Sequence, residues 1–190
     1  MDRRQEIIEA ATKSFSMFGY KATTMEQVAK IANVGKGTIY TFFATKEQLL
    51  QEVVVSLIQE VRIEMDKTIV KEDVFMDNAH RALMTVLQFR EKHVLFAKLI
   101  EEEKALRTPA VQQILQVIEF EIVSYIAQRI QAGIDKGEIE HCETQLVAFL
   151  LLKSYFAFVV DWQQTHEQPI NEQQILAVFE QTIFNGLKKR

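Results

Sequence analysis

The chain has 190 residues, 48% of them apolar, with 13 phenylalanines against 2 prolines and 6 glycines, and a net charge of −4. This composition is too apolar for a disordered chain and too poor in turn formers for a turn-rich β fold, and its acidity argues against indiscriminate nucleic-acid binding. The single Cys142 excludes an intrachain disulfide and a four-cysteine metal set, and the first residues lack the apolar segment of a signal peptide.

The expectation is therefore an all-α, reduced, cytoplasmic protein without metal or cofactor. Its charge is uneven: residues 1–50 carry +2 and residues 51–190 carry −6. An acidic chain can still reach DNA through a small, less acidic module.

Residues 3–18 fit an amphipathic helix with Ile7, Ala11, Phe15 and Phe18 on one face and Gly19 as its stop. Thr24 and Gln27 form a capping box for a short helix, Met25–Ala32, in which hydroxyl and amide satisfy backbone donors that have no helical partner. Val28, Ala29 and Ile31 or Ala32 can then pack on the first helix. Asn33 tolerates the left-handed conformation that ends a helix. Lys36–Thr41 is too short to be stable alone and depends on Val34, Ile39 and Phe42 or Phe43 packing into the first two helices.

A second capping box, Thr45 with Gln48, opens a helix over 46–70 that displays Leu49, Leu50, Val53, Leu57, Val61, Met65 and Ile69 at helical spacing. At its length of roughly 37 Å it can join the N-terminal module to the rest without a flexible linker. Further helices are expected at 74–90, 92–104, 109–133, 144–165 and 171–188. Thr108-Pro109 suits a helix start, Gly133 and Gly137 bracket the next turn, and Asn171 caps the last helix. The apolar run Val147 to Val160, broken by Lys153, is too short to cross a bilayer and reads as a buried helix.

The segment VGKGTIYTFFATKEQLL, residues 34–50, contains the ingredients of a phosphate-binding loop but not their order. Lys36 is followed by Gly37 rather than by a hydroxyl residue, and the preceding VAKIAN reads as helix, not strand. With residues 18–33 before it, the passage resembles the DNA-binding domain of the tetracycline-repressor (TetR) family. The resemblance rests on Thr24, Val28-Ala29, Val34, Gly37, Thr38, Ile39, Tyr40, Phe43, Lys46-Glu47 and Leu49-Leu50. It covers about a quarter of the chain. Asn33 stands where the family often has Gly, and Gly35 where it often has Ser, which removes a hydroxyl from the start of the third helix.

The resemblance implies a dimeric transcriptional regulator, usually a repressor. Residues 1–46 would form a helix-turn-helix DNA-binding domain and residues 47–190 an effector-binding and dimerisation domain. The third helix would enter a major groove, with Lys36, Thr38 and Thr41 as base-contact candidates and Gly37 allowing close approach. Tyr40 and Lys46 match positions that commonly touch the sugar-phosphate backbone, and Thr24, Tyr20 and Lys21 are further backbone candidates. Each has a plainer competing role: Thr24 as a cap, Lys46 as a solvated lysine, and Ile39 and Phe43 as core.

Two helix-turn-helix modules related by a twofold axis would make the operator a palindrome or nearly so. The apolar run 146–160 and the face Ile175, Phe179, Ile183 and Leu187 hold more hydrophobic surface than one slender bundle needs, and they match in location the last two helices, which in the family pack against their mates; Trp162 is an interface anchor or a core residue. Effector-pocket candidates are Phe75, Phe89, Phe96, Leu99 and Ile118, followed by Ile122, Phe149, Leu152, Tyr155 and Phe156. They suit a largely apolar or amphipathic ligand, with fatty-acyl and drug-like compounds as the classes considered. The turn 133–139 and the aromatic-rich helix after it resemble those of fatty-acid-responsive members.

Nothing points to catalysis. Glu101-Glu102-Glu103 are adjacent on a helix and so diverge, which favours a solvated acidic surface. His80, His93 and His141-Cys142 have no metal-ligand or triad spacing. Two competitors are a helical small-molecule binder without productive DNA binding and an enzyme using a C-terminal cavity. The intact Thr24, Lys36, Tyr40 and Lys46 weigh against the first, and the lack of converging polar groups against the second.

Overall fold

The computed structural model describes residues 2–88 and 94–189, so Phe89 and His93 lie outside the described residues. Regular structure among the described residues is helical, apart from an isolated antiparallel bridge between Ile139 and Lys188. Helix α1 (Arg3–Phe18) starts at Asp2, whose carboxylate accepts the Arg4 N–H, and stops at Gly19, which has a φ of 82°. Ile7, Ala11 and Phe15 are fully buried, but Phe18 is half exposed. One turn before it, Ser14 is buried, and its hydroxyl meets that of Thr23 at 3.1 Å.

Helix α2 (Met25–Ile31) carries the complete Thr24–Gln27 capping box and buries Val28 and Ala29, while Ile31 faces out. Asn33 has a φ of 53°, as its position after a helix requires. Helix α3 (Lys36–Phe42) follows, with Ile39 and Phe43 fully buried and Phe42 partly exposed. Helix α4 (Lys46–Thr68) has half of its expected capping box: Thr45 Oγ1 accepts the Gln48 N–H at 3.1 Å, but the Gln48 side chain accepts from Ala44 N instead.

Next come α5 (Phe75–Gln88), α6 (Val94–Leu106) and α7 (Pro109–Asp135). Proline opens α7 as expected, but the Thr108 hydroxyl donates to Glu102 at 3.2 Å rather than capping the helix. Gly133 lies inside α7, not at the turn, which Gly137 makes with a φ of 70°. A Cβ on Gly133 would stand 2.7 Å from the Phe75 ring, so this glycine provides close packing rather than a bend.

Helix α8 (Thr144–Thr165) contains a π-helical turn at Ala157–Asp161, and α9 begins as Glu172–Phe179, passes through a π-helical turn at Glu180–Phe184 and ends at Asn185–Leu187. Asn171 and Gln174 form the capping box that opens α9. Buried residues fall at Ala148, Leu152, Tyr155 and Val160 in α8, and at Ile175, Phe179, Phe184 and Leu187 in α9. In both series the long step spans the π turn, where one extra residue per turn rotates the following side chains.

Two compact units emerge, one made of Met1–Gln59 and Lys92–Ile118 and the other of Glu60–Glu91 and Glu119–Arg190. The first is built on Ile7, Phe15, Val28, Ile39, Phe43 and Leu49. The second contains a cluster around Ile130, Ile139, Ala148 and Leu152 and another around Leu87, Tyr155, Ile175, Phe179 and Phe184.

The expectation of a buried helix over 147–160 is corrected. Leu146, Phe149 and Leu150 are 68%, 42% and 51% exposed, because α8 is apolar all round and its own chain covers only one side. By length and composition, Thr144–Thr165 is apolar enough to cross a membrane, although Lys153 on it pairs with Glu119 of α7.

Candidate nucleic-acid interface

The surface around α3 is built from the turn that precedes it. Asn33 and Val34 donate their N–H groups back to the carbonyls of Lys30 and Ala29, which closes α2 and turns the chain. Gly35 then caps α3 through backbone alone, with the Thr38 N–H on its carbonyl at 2.9 Å. Ile39 and Phe43 anchor the inner side of α3.

On the outer side, Lys36, Gly37, Tyr40 and Thr41 are exposed and Thr38 is half-buried. A Cβ at Gly37 would meet nothing within 4 Å, so the fold itself does not require glycine there. The Thr41 hydroxyl donates to the Thr38 carbonyl at 2.7 Å, which leaves its oxygen free to accept. Lys36 Nζ lies 2.6 Å from Glu26. Their hydrogen bond holds the Glu26 carboxyl below its usual range and the Lys36 ammonium above its own. Beside them is an open depression of about 430 Å³ lined by Glu26, Ala29, Lys30, Asn33, Val34, Gly35 and Lys36.

The backbone-contact candidates are divided. Tyr40 is 42% exposed on α3. The Lys21 side chain is exposed, while its N–H bonds to Glu102. Thr24 is exposed, with its hydroxyl oxygen already accepting the Gln27 N–H.

Tyr20 is 4% exposed, and its hydroxyl donates to Glu47 at 2.6 Å. Burial first, then Glu47, push this phenol well above its ordinary range, while the same hydrogen bond lowers the Glu47 carboxyl. Tyr20 therefore braces the α1–α2 turn instead of offering a donor to solvent. Lys46 donates to the carbonyls of Tyr20 and Thr23 at 2.9 and 2.8 Å and lies 4.3 Å from the centre of the Tyr20 ring. Burial lowers its ammonium, against the opposing charges of Glu47 and Glu102. One of its three N–H groups remains beyond those two bonds.

Glu102 is another correction. It is 8% exposed, receives the Lys21 N–H at 3.0 and 3.2 Å, and accepts the Thr108 hydroxyl. Sequence spacing gave no sign of this, because its main partner lies 81 residues away.

The effector-pocket candidates are distributed over both units. Phe96, Leu99 and Ile118 are buried in the first unit. Leu152 and Tyr155 are buried in the second, where Phe75, Ile122 and Phe156 are partly buried, while Phe149 is exposed on α8. Of the interface candidates, Ile175, Phe179 and Leu187 belong to the core of their own chain and so present almost no surface to a second copy. Ile183 is half-buried because the π turn moves Phe184 into its place. Trp162 stacks on His166 with ring centres 3.7 Å apart and donates to the Gln168 carbonyl, which finishes α8 locally.

Residues 7–53 match the model of bacterial regulatory proteins of the tetR family. The chain is 45% identical over 187 residues to the uncharacterised HTH-type transcriptional regulator YhgD of Bacillus subtilis (strain 168), covering 98% of this chain and 97% of that protein. Among solved structures it is similar to a Rhodococcus sp. protein assigned to the TetR-family transcriptional regulators, with a TM-score of 0.83, 20% identity and 98% of each chain covered. It is also similar to a Saccharomonospora viridis protein assigned as a transcriptional regulator and solved in complex with choline, with a TM-score of 0.75, 14% identity and 98% of each chain covered. With the helix-turn-helix geometry of α2 and α3, these likenesses identify the chain as a member of the TetR family of DNA-binding transcriptional regulators.

Proposed function

We propose that the protein is a cytoplasmic, homodimeric repressor released from a palindromic or nearly palindromic operator by a small, largely apolar or amphipathic effector. Residues 1–46 read the DNA, and residues 47–190 sense the effector and pair the subunits. The observation that carries this reading is the division of α3 into an anchored side, Ile39 and Phe43, and an outward side holding Lys36, Gly37, Tyr40 and Thr41. A helix so fixed can enter a major groove as a rigid body, with Gly37 allowing backbone approach and Lys36, Thr38 and Thr41 reaching base edges. Tyr40, Lys21, Thr24 and the remaining N–H of Lys46 then face the sugar-phosphate chain.

The second subunit is expected against the α8 face bearing Leu146, Phe149 and Leu150, whose exposed apolar surface lies on one helical stripe. An effector with enough difference in affinity between DNA-competent and incompetent states would shift the population away from the operator.

The test is selection of bound fragments from the source genome, followed by titration of the enriched sequence at several salt concentrations. Affinity is expected to fall with salt as phosphate contacts release counterions. Thr41→Ala should alter base preference and leave the salt dependence near wild type, and Lys46→Ala should weaken binding to all sequences. Equal affinity for enriched and unrelated DNA would refute sequence-specific regulation.

A further inference from the structure

Glu102 is a buried carboxylate on α6 that the DNA-reading scheme above does not use. Both of its oxygens accept the Lys21 backbone N–H, at 3.0 and 3.2 Å, and Oε1 also accepts the Thr108 hydroxyl at 3.2 Å. Taking a carboxylate out of water is unfavourable unless donors replace the lost solvent, and here a main-chain amide and a hydroxyl do so.

That amide belongs to the α1–α2 turn. At Gly19, where φ is 82°, a Cβ would stand 2.8 Å from Glu102 Oε2, so the missing side chain lets the turn lie against the carboxylate. The same turn is held by α4, whose Lys46 ammonium takes the carbonyls of Tyr20 and Thr23. Inside it, the Thr23 hydroxyl donates to the Gly19 carbonyl at 2.8 Å. The turn therefore offers its N–H to α6 and its carbonyls to α4, and it leads straight into the Thr24 capping box that starts α2.

We infer that Glu102 is a positioning residue for DNA binding: by fixing the α1–α2 turn to α6 it sets where α2 begins and how α3 behind it is presented. This rests on the reading of α2 and α3 as the DNA-binding surface. Lys21 contributes its backbone N–H, so its side chain and the Glu102 contact can be tested separately.

The experiment uses a duplex that the full-length wild-type protein selects from a random-sequence pool, with affinity measured at several salt concentrations and amide exchange followed at residues 21–24. Glu102→Ala should bind roughly tenfold more weakly, the order expected when a charged hydrogen bond is lost. Its salt dependence should be unchanged, since no phosphate contact is removed, and exchange at Lys21 should accelerate. Glu102→Gln, which keeps one accepting oxygen, should recover part of both effects. Lys21→Ala should instead reduce the salt dependence while leaving exchange in the turn near wild type.

If Glu102→Ala does not fold, Glu102→Gln carries the test, and its matching wild type in both affinity and exchange would overturn the inference. Faster exchange with unchanged affinity would overturn it as well. So would an affinity loss no larger than the unfolded fraction measured by circular dichroism at the assay temperature. A wild-type protein that enriches no sequence would instead sink the DNA reading on which the inference rests.

Discussion

Tyr20, Glu47 and Lys46 show how residues at the start of α4 brace the DNA-reading module. The Tyr20 hydroxyl lowers the Glu47 carboxyl in the folded state, so the pair contributes stability that is present above the ordinary carboxylate range and is lost as pH falls through the lowered value. The wild type should accordingly lose stability as pH falls below about 4.5, the unperturbed value for a glutamate. In denaturant titrations across that range, Glu47→Gln should be less stable at neutral pH and show a shallower acid dependence. A steeper dependence in the variant would show that this pair is not the source. Contacts within one helical turn were legible in the sequence: Thr24–Gln27 is the expected capping box, Asn171 caps the last helix, and Thr45 accepts the Gln48 N–H as half of its expected box. Tyr20 and Glu102 were not, since their burial is decided by residues 27 and 81 positions away.

At the scale of elements, helix positions followed from periodicity and punctuation, whereas the faces of the last two helices did not. A regular α-helix places Ile175, Phe179, Ile183 and Leu187 on one side, but the π turn at Glu180–Phe184 puts Phe184 inward and leaves Ile183 half-buried. A π turn is an added residue with no distinctive composition, so periodicity reads through it. Gly133 was misread for a related reason: a glycine near a helix end suggests a turn, yet here it makes room for the Phe75 ring. Gly133→Ala should therefore lower the melting temperature despite alanine's better helix propensity, with overpacking costing about 1–3 kcal/mol. Combining it with Phe75→Leu should restore part of the loss in thermal melts. An unchanged or higher melting temperature for the single variant would mean that the ring moves aside freely.

For the molecule as a whole, family and fold class were readable because the stretch 18–50 combines three glycines, a capping box and apolar anchors at fixed spacing. The run 146–160 stood out as more apolar than one bundle needs, but which of its residues face outward did not, because an apolar helix gives no sign of which side its own chain covers. The exposed residues Leu146 and Leu150 lie one turn apart on α8, and their exposure means that changing them removes little from the monomer's core. Leu146→Glu with Leu150→Glu should give a folded monomer by sedimentation and weaken operator binding at least tenfold. A double variant that remains dimeric would move the interface elsewhere.

The first unit is assembled from two stretches of chain, Met1–Gln59 and Lys92–Ile118, with a piece of the second unit encoded between them. During synthesis the N-terminal helices thus emerge well before the carboxylate that receives the Lys21 amide. A nascent chain arrested near residue 60 holds all of α1, α2 and α3 but lacks the side chain that pins their first turn. The DNA-reading end, made first, is completed only after the ribosome has passed into a later part of the message.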